Sequence, residues 1–324
     1  MKISVLGCGR WGSFIAWYLS RCSNEVCAWG PEDGQSYQIL KETGRNEYVA
    51  LDKSVALTCN LQEAVERADL LVISISAQGL RGFMQRVTQY DVANKSFVLC
   101  MKGIEVETGK RLSEILVESG ISPEHIAVWV GPGHIQSFVQ GIPNCMVIDS
   151  QNEALKRDLV GRFKSDLIRF YYGDDLIGTE IGAAAKNVMG IAAGILDVVC
   201  VPLKGPLMSR GAREVARLIK AMGGKELSAY GLAHLGDYET TLFSPYSHNR
   251  MYGEMLAKGQ RFEKLAEGVA TAKAMHELGV KYGVDLPITD AVYRICYGSG
   301  DDEKRCRKEI ETLFARSTKA EMYE

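Results

Sequence analysis

The first half of the chain alternates short apolar runs with stretches in which apolar residues recur at helical spacing. "KISVL" (2–6) is a β-branched run that stops at Gly7. It leads into "GCGRWGSFIAWYLSRC" (7–22), apolar at a helical period, and then a second strand pattern, "EVCAWG" (25–30). Together these have the length of a βαβ unit, about 30 residues. Further strand patterns are "VALT" (55–58), "LLVISI" (70–75), "SFVLCM" (96–101), "IAVWV" (126–130), "CMVI" (145–148) and "LIRFYY" (167–172). The near-continuous apolar run at 70–75 is typical of a strand buried on both faces. Asn60, with Glu63 three residues on, predicts a cap and a capping box for a helix over 61–68. Strands alternating with helices predict a parallel, doubly wound sheet.

After Gly173 the pattern changes, and from residue 178 there is no convincing strand. "GTEIGAAAKNVMGIAAGILDVV" (178–199) reads as one long Ala/Gly-rich helix. In it Gly182, Gly190 and Gly194 let another backbone approach, at a propensity cost of up to about 1 kcal/mol each. Helical patterns return at 208–222, 262–282, 287–297 and 301–316, and "RSTKAEMYE" (316–324) reads as a frayed polar tail. The predicted fold class is therefore α/β: an N-terminal Rossmann-type doubly wound sheet over 1–177, then an all-α C-terminal domain over 178–324.

Composition narrows the function more than the fold. A chain of 324 residues, 46% hydrophobic and 24% charged, can bury a sizeable core. Its net charge of −2 provides no basic excess for nucleic acid, so any anion site must be local. Nine scattered Cys without a C-x-x-C pair point to reduced thiols and a cytoplasmic location. No apolar run approaches the roughly 20 residues that span a bilayer, and the N-terminus lacks a signal-peptide pattern. His125, His134, His234 and His276 show no metal-ligand spacing, so no metal is expected. Neither a G-x-S-x-G elbow nor a Walker P-loop is present.

The candidate chemistry begins at Gly7-x-Gly9-x-x-Gly12, between the first strand and the first helix. There the first Gly makes the tight turn, the second admits the pyrophosphate, and the third lets helix and strand pack. The phosphates would then sit at the positive end of the helix. After the second strand come Glu32 and Asp33, with no Lys or Arg before Lys41, which favours the ribose hydroxyl of NAD over the phosphate of NADP. Lys186, among small residues in "GAAAKNV", can act as a proton donor to a carbonyl oxygen that becomes an alcohol. Lys102 follows a predicted strand, where ligands of open α/β sheets bind, and "VGPG" (130–133) leaves another with free N–H groups. In "SPYSHNRMYG" (244–253) Ser247, His248, Asn249 and Arg250 form a donor cluster placed on or near a loop, suited to an anion.

With these residues in place, the sequence resembles the bacterial-type NAD(P)-dependent glycerol-3-phosphate dehydrogenases over nearly its whole length. The carriers are "GCGRWG" (7–12), "KGIEVETGKRLSEIL" (102–116), "GPG" (131–133), "GAAAKNV" (182–188), "SRGAREVARL" (209–218), "GLAHLGDYETT" (231–241), "SPYSHNRMYG" (244–253), "EGVATAKA" (267–274) and "GVDLPIT" (283–289). The resemblance implies a Rossmann domain, a helical domain, a homodimer, and interconversion of dihydroxyacetone phosphate and sn-glycerol 3-phosphate for glycerophospholipid synthesis. It implies catalysis by Lys186 with Lys102 and Asp237. Substrate contacts would come from Lys102, Gly131, Lys186, Asn187, Asp237, Thr241, Ser247, His248 and Asn249. Cofactor contacts would come from Gly7, Gly9, Arg10, Trp11, Gly12, Lys102, Ile135, His248 and Glu267.

Four departures qualify that match, one being Pro31, which replaces the basic residue usual in the family after the second strand and agrees with NAD. Gly133 stands where the family has a serine, and His248 where it has an arginine, for which Arg250 could compensate. The loop after Asp197 is about two residues short and lacks the usual Asn. A reductase of a related keto compound, of the ketopantoate or β-hydroxyacid dehydrogenase kind, is the competing enzyme reading. A non-catalytic NAD(H)-binding protein is the competing reading of another class.

Overall fold

The computed structural model describes residues 1–321. The chain divides into two compact units, Met1–Met101 with Leu112–Leu176, and Lys102–Arg111 with Ile177–Glu324. In the first, the elements run β1 (Lys2–Leu6), α1 (Arg10–Arg21), β2 (Glu25–Trp29), α2 (Gln35–Thr43), β3 (Ala56–Thr58), α3 (Leu61–Glu66), β4 (Leu70–Ile73), α4 (Leu80–Val87), β5 (Ser96–Leu99), α5 (Leu112–Glu118), β6 (Ile126–Val130), α6 (Ile135–Val139), β7 (Asn144–Ser150), α7 (Glu153–Phe163) and β8 (Ile168–Tyr172). They build one eight-stranded sheet in the order β3-β2-β1-β4-β5-β6-β7-β8. The strand alternation sorts side chains into two cores. Ile3, Val5, Leu70, Val72 and Val98 face one, while Leu6, Leu71, Ile73, Phe97 and Leu99 face the other. Both faces are covered, which is why β4 has no polar position.

The sheet is not wholly parallel, as the sequence pattern had suggested. β7 runs antiparallel to β6, with Val130 opposite Val147 and Ala127 opposite Ser150. The intervening α6 has only five residues, about 7 Å of helix, too short to carry the chain across the sheet. At α3, Asn60 caps as expected by accepting from Glu63 N at 3.2 Å. The reciprocal half of the box does not form, because Glu63 takes the Thr58 hydroxyl at 2.7 Å instead.

The second unit is built on α8 (Leu176–Val199), followed by α9 (Lys204–Ala221), α10 (His248–Ala257), α11 (Glu267–Tyr282), α12 (Pro287–Tyr297) and α13 (Asp302–Phe314). Short 3-10 and π turns occupy 226–243. α8 is long and apolar enough to cross a membrane by length and composition, contrary to the sequence reading, but 89% of its apolar window is buried inside the protein. It is a core helix with neighbours on every side. α10 approaches it very closely: a Cβ on Gly194 would overlap the Arg250 carbonyl and lie 2.7 Å from Glu254 N, and one on Gly253 would overlap the Ile191 carbonyl. α11 begins at Glu267, not 262, so the helix predicted over 262–282 is shorter.

The segment Lys102–Arg111 leaves the sheet and packs with the helices. Ile104 is fully buried in the helical core, a Cβ on Gly109 would touch Leu278, and Arg111 Nη1 pairs with Glu180 Oε2 at 2.6 Å. The described part of the C-terminal tail is tied down too, rather than frayed. Arg316 pairs with Asp285 at 2.5 Å, and Arg210 donates to the Glu321 carbonyl at 2.6 Å. The rest of that predicted tail, Met322 to Glu324, lies outside the described residues.

Candidate active site

The glycine turn of the first unit has the shape its sequence requires. Gly7 sits at φ +115°, and a Cβ there would collide with the Ser74 carbonyl of β4's exit. A Cβ on Gly12 would collide with the Gly7 carbonyl, so α1 can start against the turn only because both residues are bare. Gly9 differs: nothing lies within 4 Å of its Cβ position. Gly9 is also the N-cap of α1, which has no side-chain cap, and the positive end of that helix suits a pyrophosphate. The turn therefore fits a dinucleotide. Arg10 lies over the Tyr48 ring at 5.4 Å and Trp11 beside Phe14 at 5.0 Å. Glu32 and Asp33 follow β2 as exposed residues. Ile135 is packed in the core, so only its backbone is available to a ligand.

The stretch Gly131-Pro132-Gly133 is built for glycine. Gly131 has φ +132° and Gly133 φ +156°. A Cβ on Gly133 would run into the Phe138 ring. The missing serine is thus part of the local backbone, not an isolated change.

The main cluster lies wholly in the second unit. Asp237 ends the short turn Leu235–Asp237 and is 1% exposed. Its Oδ2 accepts from Lys102 Nζ at 2.6 Å and pairs with Lys186 Nζ at 3.0 Å. Its Oδ1 takes the Thr240 hydroxyl. Lys186 Nζ also donates to Thr241 Oγ1 at 2.8 Å, and that hydroxyl donates on to the Asp237 carbonyl at 2.8 Å. Burial pushes Lys186 down to about 8; the nearby Lys102 ammonium pushes the same way and Asp237 opposes. Burial alone would raise Asp237, but the two ammoniums outweigh it and hold the carboxyl below its ordinary range. The result is two cations on one carboxylate, one of them poised to exchange a proton near neutral pH. Lys102 joins it because the strap 102–111 belongs to the helical unit.

Asn187, next along α8, is buried, and its side-chain amide has no hydrogen-bond partner among the described residues. The donor cluster at 247–250, expected on or near a loop, forms the N-cap and first turn of α10, directly after the loop that carries Pro245. Ser247 is its N-cap, accepting from Arg250 N at 3.3 Å, and His248 is its first residue, edge-on to Phe262 at 6.1 Å. Asn249 Oδ1 accepts from Gly268 N at 2.9 Å, tying α10 to the start of α11 beside Glu267. Gly190 brings Asn249 and Thr241 together: its Cβ would lie 3.2 Å from Asn249 Cβ and 2.7 Å from Thr241 Cγ2. Arg250 is committed elsewhere, to Asp197 at 2.7 Å and Glu254 at 3.5 Å. Its guanidinium therefore does not stand in for a cation at 248.

Sequence reasoning missed three groups here. The signal for Thr240 is its place three residues after Asp237, the spacing that returns a hydroxyl to a turn carboxylate. Lys204, buried with its ammonium on Asp197 and 3.0 Å from the Leu242 carbonyl, gave no signal beyond its charge. His234 shows no metal-ligand spacing and no other pattern in the sequence. Among the described residues no group of His, Cys, Asp and Glu could hold a metal.

Comparison with known proteins identifies the family. The profile for the NAD-dependent glycerol-3-phosphate dehydrogenase N-terminus matches residues 2–156, and that for the C-terminus matches 175–306. A glycerol-3-phosphate dehydrogenase [NAD(P)+] of Pelodictyon phaeoclathratiforme is 33% identical over 335 residues, covering 99% of each chain. That of Moorella thermoacetica is 34% identical over 309 residues, covering 91% of each. A crystal structure of glycerol-3-phosphate dehydrogenase from Coxiella burnetii superposes with a TM-score of 0.88 at 26% identity, covering 97% of this chain and 99% of that one. With both profiles matched and the relatives aligned end to end, the chain belongs to the NAD-dependent glycerol-3-phosphate dehydrogenase family.

Proposed function

We propose that this protein interconverts dihydroxyacetone phosphate and sn-glycerol 3-phosphate with NAD(H), at a site centred on Lys186. The observation that carries the reading is the pair of ammoniums, Lys102 and Lys186, on the buried Asp237 carboxylate. When bound, the reduced nicotinamide supplies the hydride for the ketone carbon. Lys186 gives its proton to the carbonyl oxygen as that oxygen becomes a hydroxyl, and its neutral amine is held by Asp237 and Thr241 until it regains a proton from solvent. Lys102 keeps Asp237 ionised and adds positive charge where the oxygen becomes negative. Asn187 offers its unused amide to the substrate, and His248 and Ser247 the start of α10. Gly7, Gly9, Arg10, Trp11 and Gly12 hold the dinucleotide. Glu32 and Asp33, with no Lys or Arg before Lys41 along the chain, favour NADH over NADPH. A homodimer in the cytoplasm, making glycerophospholipid precursor, completes the reading.

The test is oxidation of NADH and NADPH with dihydroxyacetone phosphate. Turnover is expected, faster with NADH. Lys186→Ala should cut it by about 10²–10⁴-fold, the scale of general acid–base catalysis, while NADH fluorescence titration shows near-unchanged affinity. Near wild-type turnover in that variant would remove Lys186 from the mechanism. A second reading, a reductase of another small keto compound, is favoured by Gly133 and by the absence of a forked cation at 248. Turnover of ketopantoate or a β-hydroxyacid partner, with none of dihydroxyacetone phosphate, would establish it.

A further inference from the structure

The turn that carries Asp237 is fastened to the helix that carries Lys186 by a histidine. His234 is completely buried. Its Nδ1 lies 2.8 Å from the Gly182 carbonyl and its Nε2 2.8 Å from the Tyr238 hydroxyl. A carbonyl only accepts, so Nδ1 carries the proton; Nε2 of the neutral ring then accepts, and the tyrosine donates. Burial keeps the ring neutral by pushing it down to about 4; the Gly182 bond and Asp237 oppose, and Lys186 adds to the fall. One tautomer therefore serves both bonds.

The two anchor points matter. Gly182 precedes Lys186 by four residues, so its carbonyl is also the helical acceptor for the Lys186 N–H, and His234 takes the remaining lone pair. His234 and Tyr238 bracket the turn that ends at Asp237. Tyr238 is itself fully buried, its ring edge-on to the imidazole at 4.9 Å. Gly182 makes the approach possible, since a Cβ there would lie 3.0 Å from His234 Cβ.

We propose that His234, with Tyr238, is a positioning residue that sets the Lys186–Asp237 geometry and hence the aim of the Lys186 ammonium. Its ring nitrogens both meet protein atoms, so it acts through Lys186 and Asp237. The inference rests on Lys186 being the proton donor.

The experiment compares His234→Leu, His234→Asn and Lys186→Ala in the full chain. Leucine fills part of the ring's volume without hydrogen bonds; asparagine keeps a donor at the Nδ1 position. Misplacing a reacting group by about 1 Å costs on the order of 10²-fold. His234→Leu should therefore lower kcat with dihydroxyacetone phosphate by about 10–100-fold, with KM and NADH affinity within a few-fold of wild type. His234→Asn should recover most of that loss. A kcat near wild type in His234→Leu, or an equal fall in His234→Asn, overturns the inference while leaving Lys186 in place. A near wild-type Lys186→Ala overturns the mechanism beneath it. If His234→Leu does not fold, Tyr238→Phe takes its place. That variant keeps the ring and removes only the donor to Nε2, so a folded protein with unchanged kcat overturns the proposal, and a several-fold fall at constant KM supports it.

Discussion

Replacing Lys102 by methionine should move the alkaline limit of ketone reduction to higher pH. Lys102 and Lys186 touch the same Asp237 oxygen, at 2.6 and 3.0 Å, so their nitrogens are at most the sum of these, 5.6 Å, apart. At that separation and an effective dielectric near 20, two unit charges repel by about 3 kcal/mol. That corresponds to about 2 pKa units at 1.4 kcal/mol each. The Lys102 side chain is 21% exposed, and solvent screening reduces the figure to about 1 unit. Methionine removes the repulsion and leaves Asp237 wholly to Lys186, and both changes favour the ammonium. Reduction needs that ammonium, so kcat falls as pH rises through the Lys186 value of about 8 in the wild type. In Lys102→Met the fall should come about one pH unit later. The assay is kcat for NADH oxidation at saturating dihydroxyacetone phosphate across pH 6.5–10 (roughly the span over which a lysine depressed to that degree titrates). The position of the limb is read, not its height, since Lys102 also contributes to the site. Lys102→Arg keeps the charge and should leave the limb in place. A limb that stays put in Lys102→Met, or moves to lower pH, would falsify the coupling.

Two further predictions concern stability. Gly133→Ser, which would restore a family hydroxyl, should instead destabilise the protein by about 1–3 kcal/mol in urea unfolding, because its Cβ meets the Phe138 ring at a positive φ; a variant as stable as wild type would refute this. Glu214 accepts from Ile288 N at 2.7 Å and from Thr289 N and Oγ1 at 2.9 and 2.6 Å, yet burial raises its carboxyl to about 7, against those bonds. The folded state then holds this proton more tightly than the unfolded one, so the group's contribution to stability falls as pH rises from about 4.5 to 7. Glu214→Gln should flatten that part of the unfolding profile, and an unchanged slope would count against it.

Much of this protein is legible in one dimension. The β4 run announces a strand covered on both faces, and the G-x-G-x-x-G spacing announces a tight turn, closed to a Cβ at Gly7 and Gly12 and open at Gly9. Lys186, Asp237 and Thr241 stand out through motif resemblance, and the structure brings them together. What escaped the sequence depends on partners distant along the chain. The direction of β7 follows from a helix too short to cross a sheet. The start of α10 at His248 is masked by Pro245 and packs against Gly190 and Gly194 of α8, nearly sixty residues away. Arg250 reads as a free cation until Asp197 is found against it. His234 carries no pattern, because its importance lies in two hydrogen bonds, one of them to a carbonyl 52 residues earlier. The sequence by itself determined the elements, the glycine turn and the residue types of the site. Which lysines share a carboxylate, and therefore how each holds its proton, was decided by tertiary structure, since charge and burial act through space.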